Sequence, residues 1–170
     1  FGDVPGDGQI RDSNGPMLRQ LVRDAGGIPV ELGIGRDNEP ELEQLIGRGL
    51  ECDVLILSGG VSEGVLDLVP KVLRRLGVAE VFHKVNLKPG KPVWFGVFPS
   101  AGEADKLVFG MPGNPVSGLV CFHLFARPTL ARLAGGTTDN IRRGRAILTK
   151  DFPTRGNRPV YHAGRTHERD

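Results

Sequence analysis

Several absences bound this 170-residue chain. It has two cysteines, Cys52 and Cys121, in no metal-type spacing. That rules out a disulfide framework and argues for two buried free thiols in a reducing compartment. No apolar run approaches the roughly 18 residues that a membrane helix needs. No basic-plus-apolar leader opens the chain. The expectation is a cytoplasmic protein with no membrane partner. The net charge of +2 is too small to argue for nucleic acid. No aromatic series interleaves the arginines as a base-stacking platform would require. His83, His123, His162 and His167 are scattered, and no pair has zinc-ligand spacing. No Ser-His-Asp set follows from the sequence order, and Ser58 and Ser62 lack a nucleophile-elbow pattern.

Glycine and proline are plentiful, at 25 and 13 residues. Together they fill about 22% of the chain, short of the 25–30% that signals disorder. They cluster between apolar runs, which reads as tight, loop-rich globular structure. Residues 138–170 carry eight basic and four acidic side chains, against 14 basic and 16 acidic in residues 1–137. This shift, near Gly135-Gly136, marks a boundary. The basic tail reads as a solvated surface of a second unit.

Helical spacing runs through Met17, Leu18, Leu21 and Val22, through Leu42, Leu45, Ile46 and Leu50, and through Val65 to Leu76. A longer run from Val116 to Leu133 contains Pro128, which kinks it or starts a new helix there. Strands are expected at residues 30–33, 53–57, 81–85, 93–97 and 107–109. The alternation predicts an α/β domain over residues 1–134: three α/β/α layers around a mostly parallel sheet. Ala146-Ile147-Leu148 and Val160-Tyr161 read as strands opening a β-rich module over residues 138–170. In such sheets ligands bind beyond the carboxyl ends of the strands.

Four segments stand out. Residues 58–64 place Ser58, Gly59, Gly60 and Ser62 between a strand and a helix. Backbone N–H groups there can meet an anion, or the glycines form only a tight turn. Asp67 follows, as a hard-cation ligand or a helix-start charge. Residues 84–92 place Lys84, Lys88 and Lys91 on a loop stiffened by Pro89, Gly90 and Pro92. They are point charges for phosphate, or surface lysines on a hairpin. Pro112, Gly113, Asn114, Pro115 and Ser117 end a strand and open the longest helix. Asn114 suits a cap and Pro115 the first turn, and the helix start is a second anion-receptive N-terminus. Asp12, Ser13 and Asn14 suit caps for the first helix. Asp37 or Asn38 would cap the second, and Asp37 can share a metal with Asp67.

Taken in order, residues 8–14, 32–37, 58–67, 88–92 and 112–117 resemble the molybdopterin molybdenumtransferase family, which includes the E domain of gephyrin. The likeness covers residues 1 to about 134. Residues 155–159 resemble the start of that family's C-terminal β-barrel-like domain. The resemblance implies a molybdopterin-binding domain and molybdenum cofactor biosynthesis. Its substrates would be adenylylated molybdopterin and molybdate, its cation Mg²⁺ and its released product AMP. It implies that Asp37 and Asp67 are catalytic and hold the metal. Ser58, Gly59, Gly60 and Ser62 would cradle phosphate or the pterin tail. Lys88 and Lys91, with Gly90 between them, would neutralise phosphate or molybdate. Pro112, Gly113, Asn114, Pro115 and Ser117 would form the pterin-side wall, and Asp12, Ser13 and Asn14 would join the cofactor site. It further implies a homodimer and contact with the molybdopterin adenylyltransferase.

The family has a strand and a Thr-Gly-Asp-Glu-type loop before the position of Phe1, and N-terminal domains that complete the cleft. The expectation is therefore a fragment that binds weakly and turns over little. A binding module without turnover and the related adenylyltransferase are the competing readings. The basic, β-rich tail argues against the second.

Overall fold

In the computed structural model, residues 6, 11–61, 68–102, 104–136, 144–153 and 156–167 are described. The elements run α1 (Asn14–Asp24), α2 (Glu39–Gly49), β1 (Val54–Ser58), α3 (Leu68–Arg75), β2 (Ala79–His83), β3 (Trp94–Phe98), β4 (Lys106–Met111), α4 (Pro115–Cys121) and α5 (Arg127–Leu133). A π-helical turn, Phe122–Ala126, joins α4 to α5. Among the described residues no helix is long and apolar enough to cross a membrane.

The four strands form one sheet in the order β1-β4-β3-β2. β1 pairs parallel with β4, Val54 opposite Leu107. β4–β3 and β3–β2 are antiparallel. The expectation of a mostly parallel sheet is thus corrected. β2, β3 and β4 follow one another without a helix, and short connections can join only antiparallel neighbours.

Period-2 alternation sends the strands' side chains to two cores. Leu55, Trp94 and Val108 meet Leu42 and Ile46 of α2 and Val69, Val72 and Leu73 of α3. Val93, Phe109 and Met111 meet Leu18 of α1, Cys121 of α4, and Phe122 and Ala126 of the π turn. Helices therefore cover both faces, and the expected three layers are present. Pro128 lies in the first turn of α5. It has no N–H to give the preceding turn, and the π turn is where the helical ladder widens to accommodate it.

Two expected strands are not formed. Residues 28–36 run without strand structure, with Ile28 92% and Ile34 73% exposed. Apolar alternation favours a strand only where a partner supplies the ladder, and none reaches this segment among the described residues. Residues 146–148 likewise form no strand, and Ile147 and Leu148 are exposed. Val160 makes one isolated parallel bridge, to Lys88.

Candidate functional site

β1 and β4 end side by side, so the loops that follow them meet. The Gly59 N–H donates to the Met111 carbonyl at 3.0 Å. Gly59 and Gly60 take φ of 86° and 65°, a left-handed bend that suits glycine. Gly113 differs. Its φ is not positive, and an added Cβ would meet only Gly59 Cα, at 3.5 Å. The fold itself does not demand glycine there.

Next to this junction opens a cleft of about 1100 Å³. Its walls include Asp12, Ser13, Asn14, Asp37, Ser58, Gly59, Gly60, Gly113 and Pro115. Residues from four separate motifs thus converge on one space. The other walls are β1 and residues 28–35. Backbone parity explains the opening along β1. Asp53 O accepts from Leu107 N and Gly59 N donates to Met111 O, so odd-numbered residues face β4. The N–H and C=O groups of Val54, Ile56 and Ser58 face the cleft. A smaller groove of about 340 Å³, between Leu107, Pro128 and Leu133, touches none of the predicted residues.

The approaches to the cleft are held by local bonds. Asp12 Oδ1 accepts from the N–H groups of Asn14 and Gly15, both at 3.0 Å. Asp12 therefore caps α1, while Ser13, at the N-cap position, makes no side-chain cap bond. Asn14 Nδ2 donates to the Gly113 carbonyl at 2.8 Å, tying α1 to the loop after β4. Its Oδ1 is buried without a hydrogen-bond partner among the described residues.

Asp37 is pinned from both sides. Asn38 caps α2 by accepting from Glu41 N at 2.9 Å, and Glu41 in return accepts from Arg36 N at 3.2 Å. The Asn38 amide, then the Arg36 N–H, hold Glu41 below the usual carboxylate range. Arg75 of α3 grips Glu39 at 2.7 Å and Glu43 at 2.6 Å, and Lys71 also bonds Glu39. Glu39 is lowered by Lys71 first and Arg75 second, and Arg75 is raised chiefly by Glu39.

Asn114 Oδ1 accepts from Val116 N at 3.0 Å and Ser117 N at 3.2 Å. These are donors that an anion at the start of α4 would have used. The second anion-receptive N-terminus is therefore already satisfied by its own cap. Pro112 and Ser117 are buried, and neither they nor Asn114 line the cleft.

Lys88, Gly90 and Lys91 also lie outside the cleft walls. Their loop closes on itself through Lys84 N to Val93 O at 2.8 Å and Val85 N to Lys91 O at 3.0 Å. Gly90 takes φ 110° and is seated on α4. An added Cβ there would lie 2.5 Å from Cys121 Sγ and 3.7 Å from Ser117 O. Burial pushes the Cys121 thiol up to about 12. The lysines are exposed, so the loop presents charge from a fixed base. The cleft and the lysine loop thus meet α4 at opposite ends, the cleft at Pro115 and the loop at Cys121.

His83 supports the loop after β1 from outside the cleft walls. Its Nε2 lies 2.8 Å from the Val61 carbonyl, so that nitrogen carries a proton and donates. It anchors the residue that follows Gly59-Gly60. No sequence signal links positions 22 apart. Ser62 and Asp67 lie outside the described residues. Among the described residues no group of three His, Cys, Asp or Glu side chains could hold a metal.

Residues 2–132 match the family described as "Probable molybdopterin binding domain". The chain is 38% identical over 129 residues to a molybdopterin molybdenumtransferase of Nostoc sp., covering 75% of this chain and 29% of that protein. It is 35% identical over 147 residues to one of Bacillus subtilis, covering 86% and 33%. It is 36% identical to gephyrin of Dictyostelium discoideum, covering 91% and 25%. The chain therefore spans a third or less of these relatives. A solved molybdopterin biosynthesis protein MoeA from Pyrococcus horikosii superposes with a TM-score of 0.68 at 35% identity, over 79% of this chain and 32% of that one. The tungsten cofactor synthesizing protein MoaB from Pyrococcus furiosus shares the fold, with a TM-score of 0.57 at 14% identity, covering 76% of this chain and 88% of that one. By sequence and by fold, the chain belongs to the molybdopterin-binding domain family of molybdenum cofactor biosynthesis proteins.

Proposed function

We propose that this chain is the molybdopterin-binding part of a molybdenum-insertion transferase. The whole protein would take adenylylated molybdopterin and molybdate, cleave the phosphoanhydride, release AMP and place molybdenum at the dithiolene. The observation that carries this reading is the cleft, where residues from four sequence motifs meet along the open edge of β1 and at its carboxyl end. A ligand with a pyrophosphate and a flat ring needs such a space, with backbone donors and a few fixed polar groups.

The residues take different roles. Ser58, Gly59, Gly60 and Ser62 cradle the phosphates. Asp12 and Asn114 hold helix starts, and Asn14 joins the loop of Gly113 and Pro115 to α1. Lys88 and Lys91 supply positive charge to molybdate or to a phosphate. Asp37 and Asp67 would hold Mg²⁺. Such a site commonly completes its shell with phosphate oxygens and water, so two carboxylates suffice. When bound, the ion would neutralise charge on the phosphates. The full-length protein would act as a homodimer and take its substrate from the adenylyltransferase. This chain alone would bind weakly and turn over little.

Isothermal titration with molybdopterin and Mg²⁺, wild type against Asp67→Asn, tests the reading. Metal-dependent heat that Asp67→Asn loses supports it. No heat with either protein means that the site is not assembled in this chain. Undiminished turnover of full-length Asp67→Asn would leave a binding module in place of the proposed enzyme.

A further inference from the structure

The lysine loop is held at its base by its own hydrogen bonds and at Gly90 by α4. Lys88 has a third support from the far end of the chain. Its N–H donates to the Pro159 carbonyl at 2.9 Å, and its carbonyl accepts from Tyr161 N at 2.8 Å. Both backbone groups of one lysine are therefore used by the 159–161 segment, in a parallel bridge centred on Val160. The side chain of Lys88 stays exposed. A cation on a fixed backbone loses less freedom when it captures an anion than one on a mobile loop.

We propose that residues 159–161 are a strap that positions Lys88 for a tetrahedral oxyanion, so that the basic C-terminal segment, and not the α/β domain alone, sets the anion affinity of the lysine loop. The proposal rests on the reading of Lys88 and Lys91 as anion-binding and adds to it the segment that tunes them. Pro159, Val160 and Tyr161 act through Lys88 and are positioning residues.

The bridge allows a test on the backbone alone. Tyr161→Pro deletes the N–H that meets Lys88 O. The residue before a proline is pushed towards extended structure, which Val160 has as a bridge partner. Tyr161→Ala keeps the N–H and removes the phenol. Val160→Pro introduces a proline one position earlier, where the bridge uses no N–H. The affinity of this chain for inorganic phosphate and for molybdate is measured by titration, alongside thermal midpoints. Tyr161→Pro is expected to bind about five- to thirtyfold more weakly, the cost of releasing one ordered backbone position. Tyr161→Ala and Val160→Pro should stay within about twofold of wild type, with all midpoints unchanged. If Tyr161→Pro binds like wild type while Lys88→Ala is weakened, the strap is wrong and the lysine reading stands. If Lys88→Ala and Lys91→Ala both bind like wild type, the lysine reading fails and the strap with it. If Val160→Pro weakens binding as much as Tyr161→Pro, or if Tyr161→Pro lowers the midpoint by several degrees, the contact supports folding and the proposal falls.

Discussion

Replacing Gly90 by alanine tests the link between the lysine loop and the domain core. Two costs follow from the structure. The φ of 110° lies where an L side chain is strained, and left-handed backbone costs about 1–2 kcal/mol. The new methyl would also sit 2.5 Å from Cys121 Sγ and 2.8 Å from Leu87 Cδ1. Both neighbours are buried, and Cys121 is fully so. Neither can swing into solvent, and overpacking of this kind costs about 1–3 kcal/mol. The sum, about 2–5 kcal/mol, is a large share of the 5–15 kcal/mol that holds a domain together. It corresponds to a fall of roughly 4–20 °C in the thermal midpoint for a chain of this size. Urea titration of Gly90→Ala, Cys121→Ala and the double variant separates the two costs. Removing the sulfur should relieve about 1–2 kcal/mol of the overpacking and leave the backbone strain. Additivity within about 0.5 kcal/mol would refute the argument, because the methyl and the thiol would then not meet. A cost below about 1 kcal/mol for Gly90→Ala would refute it more directly.

Asn114→Ala should cost about 1 kcal/mol in chemical denaturation by removing the cap on Val116 and Ser117. It should also free those two N–H groups, so inorganic phosphate should bind no more weakly than to wild type. A thiol reagent should leave Cys121 unmodified in the native state and modify it on unfolding, because the group is buried and its pKa is pushed up to about 12. Mass spectrometry of the labelled chain would show which thiol reacted. Burial, then Arg127, lowers the pKa of His123 in the fold. The unfolded chain therefore binds the proton first as pH falls below about 6.5, and stability is lost from there down to the folded pKa. His123→Gln should flatten that part of a stability-against-pH curve. Hydrogen exchange along β1 should alternate, fast at Val54, Ile56 and Ser58 and slow at Leu55 and Leu57. Uniform protection would mean that another strand covers the edge.

Much of the fold could be read from periodicity. Leu42, Leu45 and Ile46 mark α2, and residues 53–57 mark β1, because a buried face repeats at the period of its element. The loops could be read because glycine and proline occur there for backbone reasons. Residues 30–33 form no strand because apolar alternation records a face, not the presence of a ladder partner. Alternation of helices and strands favours a mostly parallel sheet, but β2, β3 and β4 follow one another without helices, the arrangement hairpins produce. Within the site, the four cleft motifs could be seen singly. Their convergence depends on contacts such as Asn14 with Gly113, 99 positions apart, and His83 with Val61. Local spacing cannot carry such pairs.

The seat of Gly90 against α4 has a mechanical consequence. Because the glycine touches the far end of that helix at Cys121, and Asn14 fastens the loop before the helix to α1, the lysine loop and the cleft wall are joined through α4. If the lysines hold an oxyanion and the cleft a ring, as proposed, the separation between the two would be set by the helix between them, as a ruler sets a length.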